Sequence, residues 1–291
     1  MSKKEAVTTV QASQEVPQSP QGSKPGATKN EPVSRLVAEE DTMELHTREA
    51  MLLYLGRAPG EQYRFGVPGA RHAASALRQL FGLTSKDNPY ADATLIDIDS
   101  RVERIKRMIK SARDPQIKKM DEHKSMGLSY TIIRAQQTQS VSLGYHSPYG
   151  YMMSTVIVMF DECVRVLKSA ERRDLLTKQD QHNALYALKH EIRSMFESAI
   201  RAQRILLSDE MKPLSRADFL PNNTQPDAAK RVEAAQKIFG PMDDEVFTGK
   251  KAPRHTMRKE RLSAAEQRVL DDVALTMVEH VDEEVTSAGL V

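Results

Sequence analysis

Arg134, Gln136, Thr138, Ser140 and Ser142 fall at every second position of one run, and each ends in atoms that donate or accept hydrogen bonds. Amides, hydroxyls and a guanidinium on one face of a strand can read base edges in a DNA major groove. The alternate positions Ala135, Val141, Leu143 and Tyr145 are largely apolar, so the run 134–145 has the two-residue period of a half-buried strand. An edge strand with a solvated polar face fits the same pattern. The rest of the chain has to decide between them.

The strand is expected to feed straight into a helix. Ser147 is a suitable N-cap, and Pro148 takes the first helical position, where its missing N–H costs nothing. From there to about Ala170 apolar residues (Met152, Met153, Val156, Ile157, Met159, Phe160, Val164, Leu167) occupy nearly every side, which predicts a helix central to the core. A longer helix is predicted before the strand. Its positions Leu95, Ile98, Val102, Ile105 and Ile109 form a 3-4-3-4 stripe, and Arg101, Arg104, Arg107 and Lys110 lie off it. Those four suit either a solvated face or contact with phosphates. Thr177 with Asp180 resembles a capping box and opens a third long helix, with the stripe Leu185, Leu188, Ile192, Met195, Ala199 and Leu206.

Earlier in the chain, residues 41–56 read as a short apolar element ending at Gly56, and a helix is predicted near 70–81, stopped by Gly82. Residues 226–239 suit a short helix. The basic run 248–261 reads as a mobile linker, and Ser263 with Glu266 marks a terminal acidic helix. The fold class is therefore mainly α: one short strand followed by two long helices, behind a disordered N-terminal tail. Four prolines and no Leu, Ile, Phe, Tyr or Trp within residues 1–34 leave too little apolar surface to offset chain entropy. The expected organisation is a tail over 1–41, a folded core over 42–210, an extended basic linker over 211–262, and an acidic helix and tail over 263–291.

A net charge of only +2 hides segregation along the chain. Residues 101–124 hold nine Lys/Arg against four Asp/Glu, residues 250–268 seven against two, and residues 269–291 six acids and no base. Basic blocks of this kind suit a polyanion. No apolar run approaches a membrane span and no signal peptide is recognised, so a cytoplasmic protein without membrane association is expected. Cys163 lies in an apolar run and reads as a small buried hydrophobe.

Catalytic spacings are missing. The sequence has no GxGxxG, no phosphate-cradling GxxxxGK[ST], no GxSxG, no HExxH and no CxxC. His190-Glu-Ile-Arg193 and His255-Thr-Met-Arg258 share the HxxR spacing of tyrosine recombinases, but the last tyrosine is Tyr186, upstream of both. The sequence thus predicts no enzyme, no cofactor or metal, and no small-molecule substrate.

Leu45-His-Thr-Arg48, Gly56-Arg57, Asp87-Asn-Pro-Tyr-Ala-Asp92 and Ser147-Pro-Tyr-Gly-Tyr151 together resemble the AcaB-like transcriptional regulators of conjugative plasmids and integrating conjugative elements. The resemblance spans roughly residues 42–210. It implies a relation to ribbon-helix-helix proteins, in which two chains pair their strands into a ribbon that enters the major groove. It further implies base readout by Arg134, Gln136, Thr138, Ser140 and Ser142, with a phosphate anchor at the helix start, Ser147, Tyr149 and Gly150. The expected function is a homodimeric, sequence-specific regulator on double-stranded DNA, an activator of conjugative-transfer genes. The competing class is an accessory protein of the transfer element that works through helix-mediated protein contacts. Limited trypsin digestion should remove residues before about Arg35 and leave the folded core intact; early cleavage within 95–110 would place the boundary elsewhere.

Overall fold

A computed structural model of the chain describes residues 40–60, 66–220, 223, 225–258 and 268–274. The expected tail up to Glu39 and the cap at Ser263 and Glu266 lie outside them.

Five helices build the core, and the apolar spacing of each sets its inward face. β1 (Thr42–Leu45) leads through Thr47, whose side chain accepts the Ala50 N–H, into α1 (Arg48–Leu55). Gly56 ends that helix at φ 78°, a left-handed value that favours glycine. It opens a short hairpin of β2 (Gly56–Arg57) and β3 (Val67–Pro68). α2 (Ala70–Leu83) runs past Gly82, where a turn was expected to stop it, and closes as a 3-10 turn over Thr84–Lys86.

Asn88 caps α3 (Pro89–Ser125), accepting the Ala91 N–H at 3.0 Å. All five members of the α3 stripe are buried, and the helix continues through Pro115, where Gln116 and Met120 extend the buried face. α4 (Pro148–Glu171) is packed on nearly all sides, as its composition predicts. In α5 (Lys178–Leu206) the whole predicted stripe is buried. The capping box is modified: Thr177 takes the Asp180 N–H, but the shorter Asp180 side chain accepts the Thr177 hydroxyl at 2.6 Å. α1 to α5, with Met43 and Leu45 of β1, share one apolar core. Cys163 is enclosed in it, and burial pushes its thiol up to about 12.

Two differences from the sequence expectation matter for function. The strand is shorter, β4 (Gln139–Ser142), and it pairs antiparallel with β1 of the same chain: Thr42 faces Ser142, Met43 faces Val141, Glu44 faces Ser140 and Leu45 faces Gln139. The ribbon expected between two chains is closed within one. The second difference lies beyond residue 210. That stretch forms a 3-10 turn (Arg216–Phe219), α6 (Ala228–Phe239) and α7 (Asp244–Phe247), with a helical stretch at 268–274.

A buried arginine holds this second part in place. Arg216 is 2% exposed, and it donates to Asp87 at 2.6 Å, to Asp92 at 2.9 Å, and to the carbonyls of Val246 and Phe247 at 2.7 and 2.6 Å. Arg258 joins the same two carboxylates. Residues 253–258 are therefore docked on the core instead of forming a mobile linker. Tyr149 donates to the His255 carbonyl at 2.9 Å, Met257 donates its N–H to Thr84, and the carboxyl of Asp99, pushed upward by burial, accepts the Arg254 N–H.

The ribbon is fixed to the core by Asp161 on α4. One carboxylate oxygen accepts the N–H groups of His46 and Thr47, at 3.1 and 2.8 Å, and the Thr47 hydroxyl at 2.7 Å. The other oxygen lies 3.2 Å from Nε of Arg165. Replacing this 1% exposed carboxylate by Ala should lower stability by roughly 2–4 kcal/mol, because two backbone donors and one guanidinium lose their partner. Chemical denaturation of Asp161→Ala checks this; a loss below about 1 kcal/mol would show that water replaces the carboxylate without cost.

Candidate nucleic-acid interface

Alternation along β1 and β4 sorts side chains into two faces. Met43, Leu45 and Val141 pack on the core, while Thr42, Glu44, Ser140 and Ser142 are exposed. Leu143 and Tyr145 continue the inward series beyond the strand. The parity read from sequence is therefore the parity of the structure between residues 140 and 145.

The other proposed base-reading positions lie off the ribbon. Arg134, Gln136 and Thr138 are exposed but precede β4 in irregular chain. That stretch is tied to the far end of α4: Ile133 donates its N–H to Ser169 at 2.9 Å, and Arg173 donates to the Thr131 carbonyl while lying over the Tyr130 ring. At the near end, Leu143 donates to the Asp41 carbonyl and Tyr151 to the Asp41 carboxylate at 2.6 Å. From Ser169 to Tyr151 is about 27 Å of helix at 1.5 Å per residue. Residues 133–142 thus run back along α4 as extended chain, and the five side chains do not form one patch.

Sequence reasoning missed the partner strand. Its contribution is partly acidic: Glu44 stands opposite Ser140, and Glu40 accepts the Ser142 hydroxyl. Carboxylates can accept from a cytosine amine, but they repel phosphates. The signal was present as the alternation Thr-Met-Glu-Leu over 42–45, too short to separate from the helix that follows it.

The expected phosphate anchor at the start of α4 is turned inward. Tyr149 is fully buried, with its hydroxyl committed to the His255 carbonyl, and Gly150 N–H is bonded to the Ser147 carbonyl at 3.2 Å. Gly150 is needed for closeness: a Cβ there would sit 2.4 Å from the Tyr145 ring. Ser147 is 6% exposed, and its side chain makes no cap bond. Tyr149 and Gly150 cannot reach a phosphate, and Ser147 keeps only an edge on the neighbouring groove.

The cations of α3 divide. Arg101 is paired with Asp97 at 2.7 Å and Arg104 with Glu191 of α5, so both serve helix surfaces first, at the few tenths of a kcal/mol typical of exposed pairs. Arg107 and Lys110 are exposed. Beside β4, a groove of about 490 Å³ separates the ribbon from α2, and Arg71, Ser75 and Arg78 line its α2 side. The sequence reading gave 70–81 only as a helix stopped by Gly82, and its outer face went unread.

The two HxxR pairs do not meet as a phosphate site. His190 stacks on Tyr186 along α5, while Arg258 is spent on Asp87 and Asp92. Among the described residues no group of His, Cys, Asp and Glu could hold a metal ion, and no helix is long and apolar enough to cross a membrane.

The model of the transcriptional regulator AcaB family matches residues 35–259. The crystal structure of selenomethionine-containing AcaB from uropathogenic E. coli aligns over 81% of this chain and 96% of that one, with 10% sequence identity and a TM-score of 0.41. No curated protein matches the chain. The family match takes in every strand from β1 and every helix through α7, and so the chain belongs to the AcaB family of transcriptional regulators.

Proposed function

We propose that the protein is a sequence-specific regulator that binds double-stranded DNA and activates conjugative-transfer genes of a mobile element. The observation that carries this reading is the outward face of the β1–β4 ribbon, which presents hydroxyls of Thr42, Ser140 and Ser142 on a strand pair held rigidly to the core, in a chain of a transcriptional regulator family. A two-stranded ribbon of this width fits a major groove, and side chains of this length reach base edges from it. Transfer genes as the target rest on the resemblance to regulators of conjugative elements.

One observation favours a second reading, an accessory protein of the transfer element that acts through protein contacts. Glu40, Asp41 and Glu44 cluster about the ribbon, and three carboxylates suit a basic protein surface better than a polyanion. A mobility-shift titration against duplexes from upstream of the element's transfer genes, beside random duplexes, decides between them. On the first reading the wild type prefers the upstream duplex. Ser140→Ala with Ser142→Ala should reduce that preference by about 1–2 kcal/mol without lowering the melting temperature, since hydroxyl contacts fall at the low end of base discrimination. Glu44→Gln should tighten binding to both duplexes by removing a like charge. Absence of any shift, with undiminished binding to a basic protein, supports the second reading instead.

A homodimer remains part of the first reading. With two strands in the sheet, each strand keeps one outer edge, and exposed edges are routinely covered by another strand. Light scattering at micromolar concentration should give twice the 32.7 kDa chain mass; a strict monomer with and without DNA would remove the dimer while leaving the ribbon in place.

A further inference from the structure

The groove between α2 and the β4–α4 connection has a composition unlike the surface around it. Its lining includes Arg71, Ser75 and Arg78 on one side and Ser142, His146 and Ser147 on the other, with no Asp or Glu. The lining of this depression, about 490 Å³, thus combines two arginines with hydroxyls and no carboxylate, in a chain with 40 acidic residues against 42 basic ones. Glu40 accepts the hydroxyl of Ser142, one of the lining residues. A second groove, between α3, α5 and α6, is mixed: Asp97 and Asp243 offset Arg201 there.

Helix geometry makes the two arginines act together. Positions 71, 75 and 78 recur at four and three residues, so their side chains rise along one stripe of α2. Arg71 and Arg78 are exposed, and neither forms an ion pair with a carboxylate among the described residues. Arg101, Arg104, Arg113, Arg165 and Arg216 each form such a pair; what sets Arg71 and Arg78 apart from other exposed arginines such as Arg107 is the groove that they line together. The floor is polar and rigid. Tyr54 and Tyr145 share a hydrogen bond, and Ser154 donates to the Tyr145 hydroxyl at 3.1 Å. Burial, and the bond to Tyr145, push the Tyr54 hydroxyl up to about 12, so it stays a neutral donor to Tyr145. Two guanidiniums without carboxylate partners, lining one groove with Ser75 and Ser147, suit a doubly hydrogen-bonding oxyanion such as a phosphate.

We infer that this groove holds the sugar–phosphate backbone of duplex DNA beside the ribbon, with Arg71 and Arg78 contacting successive phosphates. The inference rests on the DNA-binding reading above and gives it a phosphate clamp in place of the buried start of α4. Ser142 connects the two surfaces, since it lines the groove and stands on the outer face of β4. Ribbon readers depend on flanking phosphate contacts to fix their register.

The test compares wild type with Arg71→Gln/Arg78→Gln, Arg71→Lys/Arg78→Lys and a charge-matched control, Lys178→Gln/Lys230→Gln, whose positions are exposed on α5 and α6 and lie outside both basic blocks. Duplex affinity is measured across 50–200 mM salt, and melting temperature is read in inorganic phosphate and in chloride of equal ionic strength. The glutamine pair should lose about tenfold in affinity for upstream and random duplexes alike. Its salt slope should fall by about 2, as expected for two phosphates released from contact. The lysine pair should keep most of the slope, and the control should match wild type. If wild type binds duplex and the glutamine pair titrates identically, the groove assignment is overturned while DNA binding stands. If wild type binds no duplex, the DNA reading fails and the clamp falls with it. A phosphate-specific rise in melting temperature, lost in the glutamine pair while duplex binding is unchanged, would assign the groove to a free phosphate and overturn the backbone clamp.

Discussion

A single carboxylate joins the two parts of the chain that make the ribbon. Asp161, in the middle of α4, accepts from residues His46 and Thr47, which lie 115 and 114 positions away. Removing a carboxylate from water costs several kcal/mol, and a lone buried charge would not persist. Three donors on one oxygen and a guanidinium by the other offset that cost, so the only favourable arrangement places the end of β1 against the helix that follows β4. The exit of β1 is thereby fixed, α1 begins where its Thr47 cap is held, and strand register follows from Met43 and Leu45 entering the core. Arg216 does similar work for the C-terminal part. Both are hubs where one charged group takes several backbone partners, which is how a polar group can be buried and still add specificity.

Much of the fold was legible because it is written in local periodicity. The stripes of α3 and α5, the all-round apolarity of α4, the cap at Thr177 and the parity of Val141 and Leu143 each depend on spacing within one element. What was not legible depends on distance. Nothing local says that residues 139–142 pair with 42–45, because a ladder carries its information in the partner's backbone. The strand was read as too long for a related reason: Arg134, Gln136 and Thr138 continue the even-position polar series, although Gln137 breaks the alternation, and Arg173 and Ser169 hold the chain just before them to the far end of α4, where no strand among the described residues pairs with it. Arg216 looks in sequence like any surface arginine beside Asp218, and only the positions of Asp87, Asp92 and two carbonyls turn it into a buried one. The docked run 253–258 was misread on composition, since Lys, Arg and Pro suggest solvent until their carboxylate partners are known.

Charge required the most correction. A count along the sequence points to α3 as the cationic surface, yet Arg101 and Arg104 are neutralised by Asp97 and Glu191. Arg71 and Arg78 belong to a stretch, residues 62–86, with four Lys/Arg and no Asp/Glu, shorter on charge than the block at 101–124, and they face a groove without acids. Net charge per segment is therefore an incomplete guide to potential at a surface, since it does not show which cations have counter-ions beside them. By that criterion the positive end of the ribbon region lies on the α2 side, and Glu40, Asp41 and Glu44 make the β1 side negative. Charge is therefore unevenly divided across the width of the ribbon; under the proposed function, this would turn β4 toward the nearer phosphates of a duplex.

Closing the ribbon within one chain also changes its energetics. Thr42 and Ser142 are joined by about a hundred residues, and closing a flexible loop of that length costs roughly 4 kcal/mol of chain entropy. The packing of α1 to α5 already brings the ends together, so the ladder itself adds little to that cost. In a ribbon made from two chains the same pairing depends on protein concentration, and the reading surface exists only in the dimer. Here β1 and β4 present Thr42, Glu44, Ser140 and Ser142 in fixed register in every folded chain. Association of two chains would then set the spacing between two complete ribbons, a geometric variable separate from what each ribbon contacts.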